Sequence, residues 1–490
     1  MSAAPEAPPS EGPPSFIAMS AAPEAPPSEG PSSSVAISTS PFPNWILLES
    51  FVFRRDDKKS FPDDTKAPIR ASGITSWNAP FRIAFSLAKP PLASRLYAKL
   101  RRFPDPSQET PLAIVATHFN LLLLIVGTKI PARGLVQDFF ICNAYEPSTL
   151  KALPPCREPY TDYSRSSGDN LPRGRPLQKE ERRLLEVQSM GLLCGGGEKF
   201  AVAELCVFKT IHLKSYADIC LLCSPTSAAP VLGGNWNSFR VPILGIDSND
   251  PWHICCWDTD TVITFRHWLC WIDYHRGILF FDVFGEPVPT VTFLAFPLDE
   301  YPSPHSLKEV KPSSPLKSSR LYRGASVLFG GNMIKFVNVT RHDGIGYGEL
   351  KPRSGFTITC HTLELGDTPV IGNARWKLDY KITSDELWSA NPPEHLPHNI
   401  LMFPQIDLDM PHLVHFIISE FEFVIKKMWL VSIDMKTKEV KSFAPYISGK
   451  EGLETDDADL IRERSDAPMP FLPCDFSRFL RLSRLSKDME

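Results

Sequence analysis

The sequence contains no apolar run long enough to cross a membrane as a helix. The longest such run, Leu112 to Gly127, is shorter than the roughly 20 residues that a bilayer requires, and His118 and Asn120 lie in its middle. It predicts two strands and a turn. The N-terminus lacks the positive and apolar segments of a signal peptide and the arginine content of a transit peptide. These absences predict a cytoplasmic or nuclear protein with no membrane partner.

Neither sign of charge is in clear excess. Lysine and arginine number 52, against 56 aspartates and glutamates, and the formal net charge is -4. Proteins that bind nucleic acid through its phosphates carry a basic surface, and the composition does not indicate one. We therefore expect no nucleic acid partner.

The common catalytic signatures are also missing. No GxSxG, HExxH or GxGxxG occurs in the chain, which leaves hydrolase, zinc protease and dinucleotide-binding interpretations without support. The glycine-rich stretch from Cys194 to Phe200 lacks the GK[ST] ending of a phosphate-binding loop and leads into a strand-like run. It predicts a hairpin turn.

Cysteines are odd in number and stand mostly inside apolar runs. Such cysteines are typical of small buried side chains in a reducing compartment. Cys220 and Cys223 form a CxxC, but in an apolar strand-like run and without the polar turn of a zinc or redox motif, so it predicts core packing. The eleven are Cys142, Cys156, Cys194, Cys206, Cys220, Cys223, Cys255, Cys256, Cys270, Cys360 and Cys474.

The first 36 residues contain a tandem duplication, since residues 1–18 recur almost unchanged as residues 19–36. Proline, alanine, serine and glutamate dominate both copies and cannot bury enough apolar surface to offset chain entropy. We predict that residues 1–40 form a disordered tail. A proline-rich docking ligand is the alternative, and Met19 is an alternative start of translation.

From residue 41 to residue 490 the composition predicts a β-rich body. Short runs rich in Val, Ile, Phe, Trp and Thr alternate with Pro, Gly, Asp and Asn clusters, as in successive antiparallel strands. The clearest hairpin is "MWLVSIDMKTKEVKSFA", with its turn at Met435 to Lys438. Few helices are expected: one begins at a capping box of Thr383 and Glu386, and another follows Thr455. Near the C-terminus, Phe476, Phe479 and Leu480 share a helical face that we expect to dock on the body.

About twenty strands without intervening helices predict an all-β fold. A β-propeller-like array of antiparallel sheets satisfies this count, with seven to nine repeats or with six and long loops. Two packed β domains remain the alternative, because no clean repeat of fixed period is found. Long surface loops are expected at residues 154–181 and 301–319, which are rich in proline and charge.

Several titratable residues are candidates for a metal-binding or catalytic site, and for each we favour a structural role. The four histidines at positions 395, 398, 412 and 415 lie close in sequence, but His412 and His415 are three apart on a strand and would face opposite sides, against a shared metal ion. Asp258 and Asp260 alternate beside a turn and are expected to be exposed. Asp273, Arg276 and Asp282 flank a hairpin in which Gly277 suits a positive φ.

Blocks along the body resemble one known family. They include "CWDTDTVITF" (256–265), "LCWIDYHRGILFFDVFGEP" (269–287), "GFTITCHTL" (355–363), "ITSDELW" (382–388), "LMFPQIDLDMPHLVHFIISE" (401–420) and "FVFRRDDKKSFPDDTKAPIRASG" (51–73). Together they resemble the domain of unknown function 1618 family, a plant group expanded in grasses. The resemblance covers residues 41–490 and is densest at residues 256–420.

That resemblance implies little about activity, because the family carries no agreed catalytic residues to transfer. Its strand pattern is similar to the propeller domains that accompany F-box motifs in plants. The segment "PFPNWILLESFVF" at the start of the body lacks the three-helix pattern of an F-box. A direct role as a ubiquitin-ligase adaptor is therefore not expected.

Taken together, these features predict a non-enzymatic scaffold or protein-interaction module of a plant cell, with an unidentified protein partner. Variable loops on a fixed frame would carry the binding surface. The candidate contact segments are residues 154–181, residues 301–319 and Trp236, taken to be exposed. No catalytic residue, cofactor or metal is expected. The alternative is an enzyme whose carboxylates and histidines meet in a central propeller funnel without a linear motif.

Overall fold

A computed structural model provides the coordinates. It describes residues 42–57, 59–104, 111–131, 134–158, 182–196, 199–209, 215–224, 234–246, 254, 257–284, 289–298, 319–328, 331–344, 348–365, 371–422, 424–447, 456, 458–461 and 471–480. The predicted tail, residues 159–181 and residues 301–318 lie outside this set.

Strands dominate the described residues and form six four-stranded units, as the alternating apolar runs predict. Unit 1 contains β1 (Ile46–Arg54), β2 (Ile69–Ile74), β3 (Pro80–Ser86) and β4 (Ala93–Lys99). Unit 2 contains β5 (Leu112–His118), β6 (Leu121–Ile130), β7 (Gly134–Asn143) and β8 (Glu146–Ala152). Unit 3 contains β9 (Met190–Gly196), β10 (Lys199–Lys209), β11 (Ser215–Cys223) and β12 (Trp236–Leu244).

The second half of the chain repeats this plan. Unit 4 contains β13 (Thr261–Phe265), β14 (Trp268–Asp273), β15 (Gly277–Asp282) and β16 (Val291–Ala295). Unit 5 contains β17 (Arg323–Val327), β18 (Ile334–Arg341), β19 (Phe356–Glu364) and β20 (Arg375–Thr383). Unit 6 contains β21 (Met402–Ile406), β22 (Leu413–Glu422), β23 (Val424–Asp434) and β24 (Glu439–Ile447), and a last strand, β25 (Leu472–Cys474), returns to unit 1.

Pairing within units 2 to 6 is a simple antiparallel meander. Unit 1 differs, because β1 pairs in parallel with β4 and antiparallel with β25. Short parallel pairings of outer strands, β2 with β8 and β12 with β16, join units 1 and 2 and units 3 and 4 into larger sheets. The all-β fold predicted from the sequence is confirmed.

The units follow one another in a ring. First strands of consecutive units are neighbours, from β1 through β5, β9, β13 and β17 to β21. The hydrophobic clusters lie between units: four of them join unit 1 with 2, 2 with 3, 3 with 4 and 4 with 5, and a fifth joins units 5, 6 and 1. This order agrees with the propeller-like array, at the lower repeat number of six.

The chain ends close the ring. In β25, Leu472 and Cys474 pair with Leu48 and Ile46 of β1. Side chains reinforce this closure: Asp456, which follows unit 6, accepts bonds from Arg55 at 2.6 Å and from Arg95 at 2.7 Å, both in unit 1. The hydroxyl of Tyr97 donates to the same carboxylate. The closure therefore combines strand pairing with a charge cluster.

Helices are few and short among the described residues. They are α1 (Ser319–Tyr322), α2 (Ser384–Ala390), the 3₁₀ turns Val187–Ser189, Ile371–Asn373 and Phe476–Phe479, and helical residues at 456 and 458–461. The capping box of Thr383 and Glu386 at α2 is confirmed. Phe476 and Leu480 dock into the core between units 1 and 2, as expected for the C-terminal segment.

Asp273 stabilises the charged turn between β14 and β15 in unit 4. This buried carboxylate accepts bonds from the backbone of Asp258 and His275 and from the guanidinium of Arg276, which lies 2.7 Å away. The expected positive φ at Gly277 is wrong. The glycine is required there because a Cβ would come within 2.2 Å of the Leu294 carbonyl oxygen of β16.

We predict that Asp456→Asn lowers the free energy of unfolding by about 1–3 kcal/mol, because Arg55 and Arg95 lose their charge partner in a partly buried cluster. Burial raises the pKa of Asp456, but bonds from Tyr97 and Arg95 outweigh it and hold that pKa below its usual value. The contribution is therefore present above about pH 4 and is lost as the pH falls through the folded pKa. Urea unfolding at pH 7 and pH 3 measures it.

The control is Asp64→Asn. The Asp64 carboxylate, 71% exposed, pairs with Arg70 on the surface and should contribute less than about 0.5 kcal/mol. Equal losses in the two variants at pH 7 would contradict a closing role for Asp456.

Candidate functional site

Residues of β5, β13, β17, β21 and β25 line a central cavity of about 130 Å³. These strands and β9, each at the edge of its unit, are called the inner strands here. Its polar lining side chains come from separate strands or turns and include His118, Thr264, Ser326, Gln405 and Asp475. None of these positions stands near another in sequence. The ring brings them together because each lies at or near the end of an inner strand.

Two of these residues have strongly shifted acidity. Burial lowers the pKa of His118 to about 3, so its imidazole is neutral at pH 7, and its Nδ1 accepts a 2.8 Å bond from the Cys194 backbone. Burial raises the pKa of Asp475 to about 6, against the charge of Arg478. A carboxyl group that titrates near neutrality inside a cavity can give or take a proton.

A second feature is a polar row across unit 6. Gln405, His415, Ser432 and Ser442 stand opposite one another on the four strands. His415 bonds to the Ser432 hydroxyl at 2.8 Å and to the Asp407 carboxylate at 3.2 Å. The row faces unit 1, where the Trp45 ring lies 5.6 Å from His415.

This row forms part of a cleft of about 850 Å³ between units 6 and 1. Trp45, Leu87, Pro90, Met410 and Leu413 supply most of its apolar wall. The order of serine, histidine and aspartate is that of an activated nucleophile, but Ser432 is only 1% exposed. Ser432, His415 and Asp407 therefore form a buried hydrogen-bond network, and the His415 ring packs against the Trp45 ring.

The third feature is the face on which the inner strands end, here called the hairpin face. It contains the turns after β5, β13, β17 and β21 and the segment after β25. Contacts between these ends show the shared face: Cys194 reaches His118, and Gly331 lies beside Arg266. Four large apolar side chains are exposed there: Phe119, Phe284, Met333 and Met410.

The histidines that lie close in sequence occupy different environments. His415 is buried in the polar row, whereas the His412 side chain is 42% exposed near Asp434, and His398 stacks on Trp388. No group of three or more possible metal ligands occurs in the described part of the chain. His412 precedes β22 instead of lying on the strand, so the expected opposition of the two side chains across one strand does not apply.

Three other expectations are corrected or refined. Trp236 is buried, not exposed, and its indole donates to the Pro154 carbonyl at 2.8 Å. Asp258 is exposed as expected, but Asp260 is buried against Arg320 because the turn before β13 folds inward. Cys220 lies in the middle of strand β11, as predicted, and Cys223 ends it.

Sequence reasoning missed Phe119, Asp475 and Ser432. His118 and Asn120 in an apolar run marked a turn, but nothing marked Phe119 as exposed. Asp475 stands between buried Cys474 and Phe476, and this position was the available signal for a buried carboxyl. No local signal distinguishes Ser432 from other strand serines.

Residues 271–415 match the family model described as "Protein of unknown function (DUF1618)". This match supports the DUF1618 family for this part of the chain. The DUF1618 region begins in β14 and ends in β22, so it spans unit 5 and parts of units 4 and 6. It contains Gln405, Asp407 and His415, but not Ser432, Ser442, His118 or Asp475.

A search of curated proteins finds no match to this chain. One solved structure, "High resolution structure of Penicillium chrysogenum alpha-L-arabinanase complexed with arabinobiose", aligns with 79% of this chain and 94% of its own. The identity is 8% and the TM-score 0.21, and a likeness at that level carries no argument. No helix in the described ranges has the length and apolarity needed to cross a membrane.

We predict that His415→Ala lowers the free energy of unfolding by about 2–4 kcal/mol, because it leaves Asp407 and Ser432 buried without their shared partner. The matched control is His412→Ala, three residues away and exposed, with an expected loss below about 0.5 kcal/mol. Chemical denaturation at pH 7 compares them. Similar losses of unfolding free energy in the two variants would show that the buried network adds no stability beyond that of an exposed histidine.

Asp475→Asn should flatten the pH dependence of stability. Since the folded pKa of Asp475 is raised to about 6, its contribution is fully present below the unfolded value of about 3.9 and is lost as the pH rises through 6. We expect the variant to gain about 1–3 kcal/mol relative to wild type between pH 4 and pH 7. Thermal unfolding across this range measures it.

The control is Asp63→Asn, because a hydrogen bond from Thr65 lowers the pKa of Asp63 and moves its titration below this window. A wild-type slope that survives Asp475→Asn unchanged would exclude titration of Asp475 near pH 6.

Proposed function

We propose that this protein is a non-enzymatic scaffold that binds another protein through the hairpin face. The observation that carries the proposal is the set of four large apolar side chains exposed on one face, Phe119, Phe284, Met333 and Met410. Exposed apolar groups that cluster on one face favour an interaction site, and aromatic side chains contribute most to binding.

The aromatic part of this face is continuous. The Phe119 ring lies 6.1 Å from the Phe479 ring, which in turn lies 6.0 Å from Tyr145. On the other side, the Cys194 backbone bonds to His118, and the Phe284 ring lies beside the next residue, Gly195. Side chains of units 2 and 4 are thus linked across the end of unit 3.

The backbone at Phe119 supports a functional role. Phe119 is the first residue of the two-residue β5–β6 turn and has φ of 50°, a left-handed conformation unfavourable for an aromatic residue. Asparagine or glycine would adopt it at lower cost. An exposed and strained phenylalanine at a turn is consistent with selection for contact with a partner.

The expected setting is the cytoplasm or nucleus of a plant cell. The plant setting comes from the family resemblance. A fluorescent fusion of the full chain in plant cells tests the compartment, with secretion or organelle import as the opposing result.

A second candidate is an enzyme that uses the central cavity. The acidity of Asp475 favours it, because a carboxyl group with a pKa of about 6 is suited to proton transfer at neutral pH. The cavity of about 130 Å³ would admit only a small molecule or the end of a larger one. A thermal-shift screen of small metabolites tests this candidate, with Asp475→Asn expected to abolish any stabilisation.

For the scaffold, we predict that the double variant Phe119→Asn, Phe284→Ser loses at least about tenfold in affinity for a partner captured by the wild-type chain. Asparagine at position 119 keeps the left-handed turn. The control is Leu378→Ser, a 50% exposed apolar residue on outer strand β20. Affinity capture from plant extract identifies the partner, and titration calorimetry with purified proteins measures its affinity.

Retention of full affinity by the double variant would place the partner elsewhere. Equal losses with Leu378→Ser would show that binding does not depend on the hairpin face. Absence of any captured partner would favour the enzyme.

A further inference from the structure

Two buried cysteines from different units have their sulfur atoms in contact. Cys156 follows β8 in the segment that leads from unit 2 toward unit 3, and Cys220 lies in the middle of β11. Their Sγ atoms are 3.5 Å apart, and both residues belong to the core cluster between units 2 and 3.

Separate backbone contacts fix the position of each cysteine. The indole of Trp236 donates to the Pro154 carbonyl at 2.8 Å, and the Arg183 backbone donates to the Cys156 carbonyl at 2.9 Å. Cys220 is fixed by pairing of β11 with β10 on one side and β12 on the other. A disulfide requires a separation of about 2.05 Å, so the sulfurs must approach by about 1.5 Å.

The surroundings give the two thiols different roles. Contact with Cys220 lowers the pKa of Cys156, as does the nearby charge of Arg183, whereas contact with Cys156 and burial raise the pKa of Cys220. Cys156 also lies in an irregular segment, while Cys220 is fully buried in a sheet. These differences suit Cys156 as the attacking thiolate and Cys220 as the resolving thiol.

We propose that Cys156 and Cys220 form an oxidation site at which a peroxide converts the two thiols into a disulfide between units 2 and 3. The Cys156 thiolate attacks one peroxide oxygen, the O–O bond breaks, and hydroxide leaves as a sulfenic acid forms. The Cys220 sulfur then attacks the Cys156 sulfur and displaces the sulfenic oxygen as water. Overall, two thiols and one hydrogen peroxide yield one disulfide and two waters.

This pair is distinct from the CxxC in the sequence. Cys220 packs in the core between units 2 and 3, whereas Cys223 packs against the core between units 3 and 4. Residues three apart on a strand face opposite sides, so Cys220 and Cys223 cannot bond to each other without loss of the strand. The inference does not rest on the proposed protein-binding function.

The disulfide would close a long loop between neighbouring units. Such a bond restricts the unfolded chain, so oxidised protein should unfold at a higher temperature. It would also tie the start of the segment that leaves unit 2 to the central strands of unit 3.

The experiment treats the reduced full chain with hydrogen peroxide at pH 7, blocks remaining thiols with N-ethylmaleimide and maps peptides without reduction. We expect a Cys156–Cys220 linked peptide, reversed by dithiothreitol, and a rise in Tm of about 2–6 °C. Cys156→Ala and Cys220→Ala should each lose both effects. The control is Cys142→Ala, which removes another fully buried thiol, from β7, and should keep both.

Peptide mapping of the wild-type chain shows whether the Cys156–Cys220 disulfide forms, even if a variant fails to fold. Linkage of either cysteine to another partner, or recovery of both as blocked thiols after peroxide treatment, would overturn the proposal. A linked peptide that forms equally in urea-unfolded protein would also overturn it, because the folded contact would then have no role.

Discussion

The fold depends on burial of both faces of every sheet between its neighbours. A four-stranded sheet with two apolar faces has no stable existence alone, and each hydrophobic cluster here is shared by adjacent units. The ring must therefore be closed, since an open array would leave one face of unit 1 and one of unit 6 in water. Burial of apolar surface supplies the driving force, at about 25 cal/mol per Å².

The closure of the ring also contains several polar contacts. The charge cluster at Asp456, the bond between Tyr446 and Glu49 and the polar row at His415 all lie where units 6 and 1 meet. Charged partners in such a place contribute specificity for one pairing of surfaces as well as stability. The junction of units 4 and 5 differs, because it contains stacked aromatic contacts such as Phe296 on Phe336.

One end of the central cavity opens at the hairpin face. Inner strands that run in the same direction bring their terminal turns to one face, where a short turn has little room to hide a large side chain. Phe119 is exposed for this reason, and the same geometry places His118 and Asp475 inside the cavity. The shared direction of the inner strands therefore accounts both for the exposed apolar side chains of the hairpin face and for the titratable groups in the cavity.

The sequence by itself determined the all-β class, most strand positions, the β23–β24 hairpin, the capping box at Thr383 and the family of residues 271–415. These depend on local periodicity, turn chemistry and side-chain capping, which act over a few residues. Only the tertiary structure decided the number of units, the pairing of β25 with β1, the burial of Trp236 and Asp260 and the contact of Cys156 with Cys220. These depend on packing between segments far apart in sequence, and no local pattern records which distant face a residue will meet.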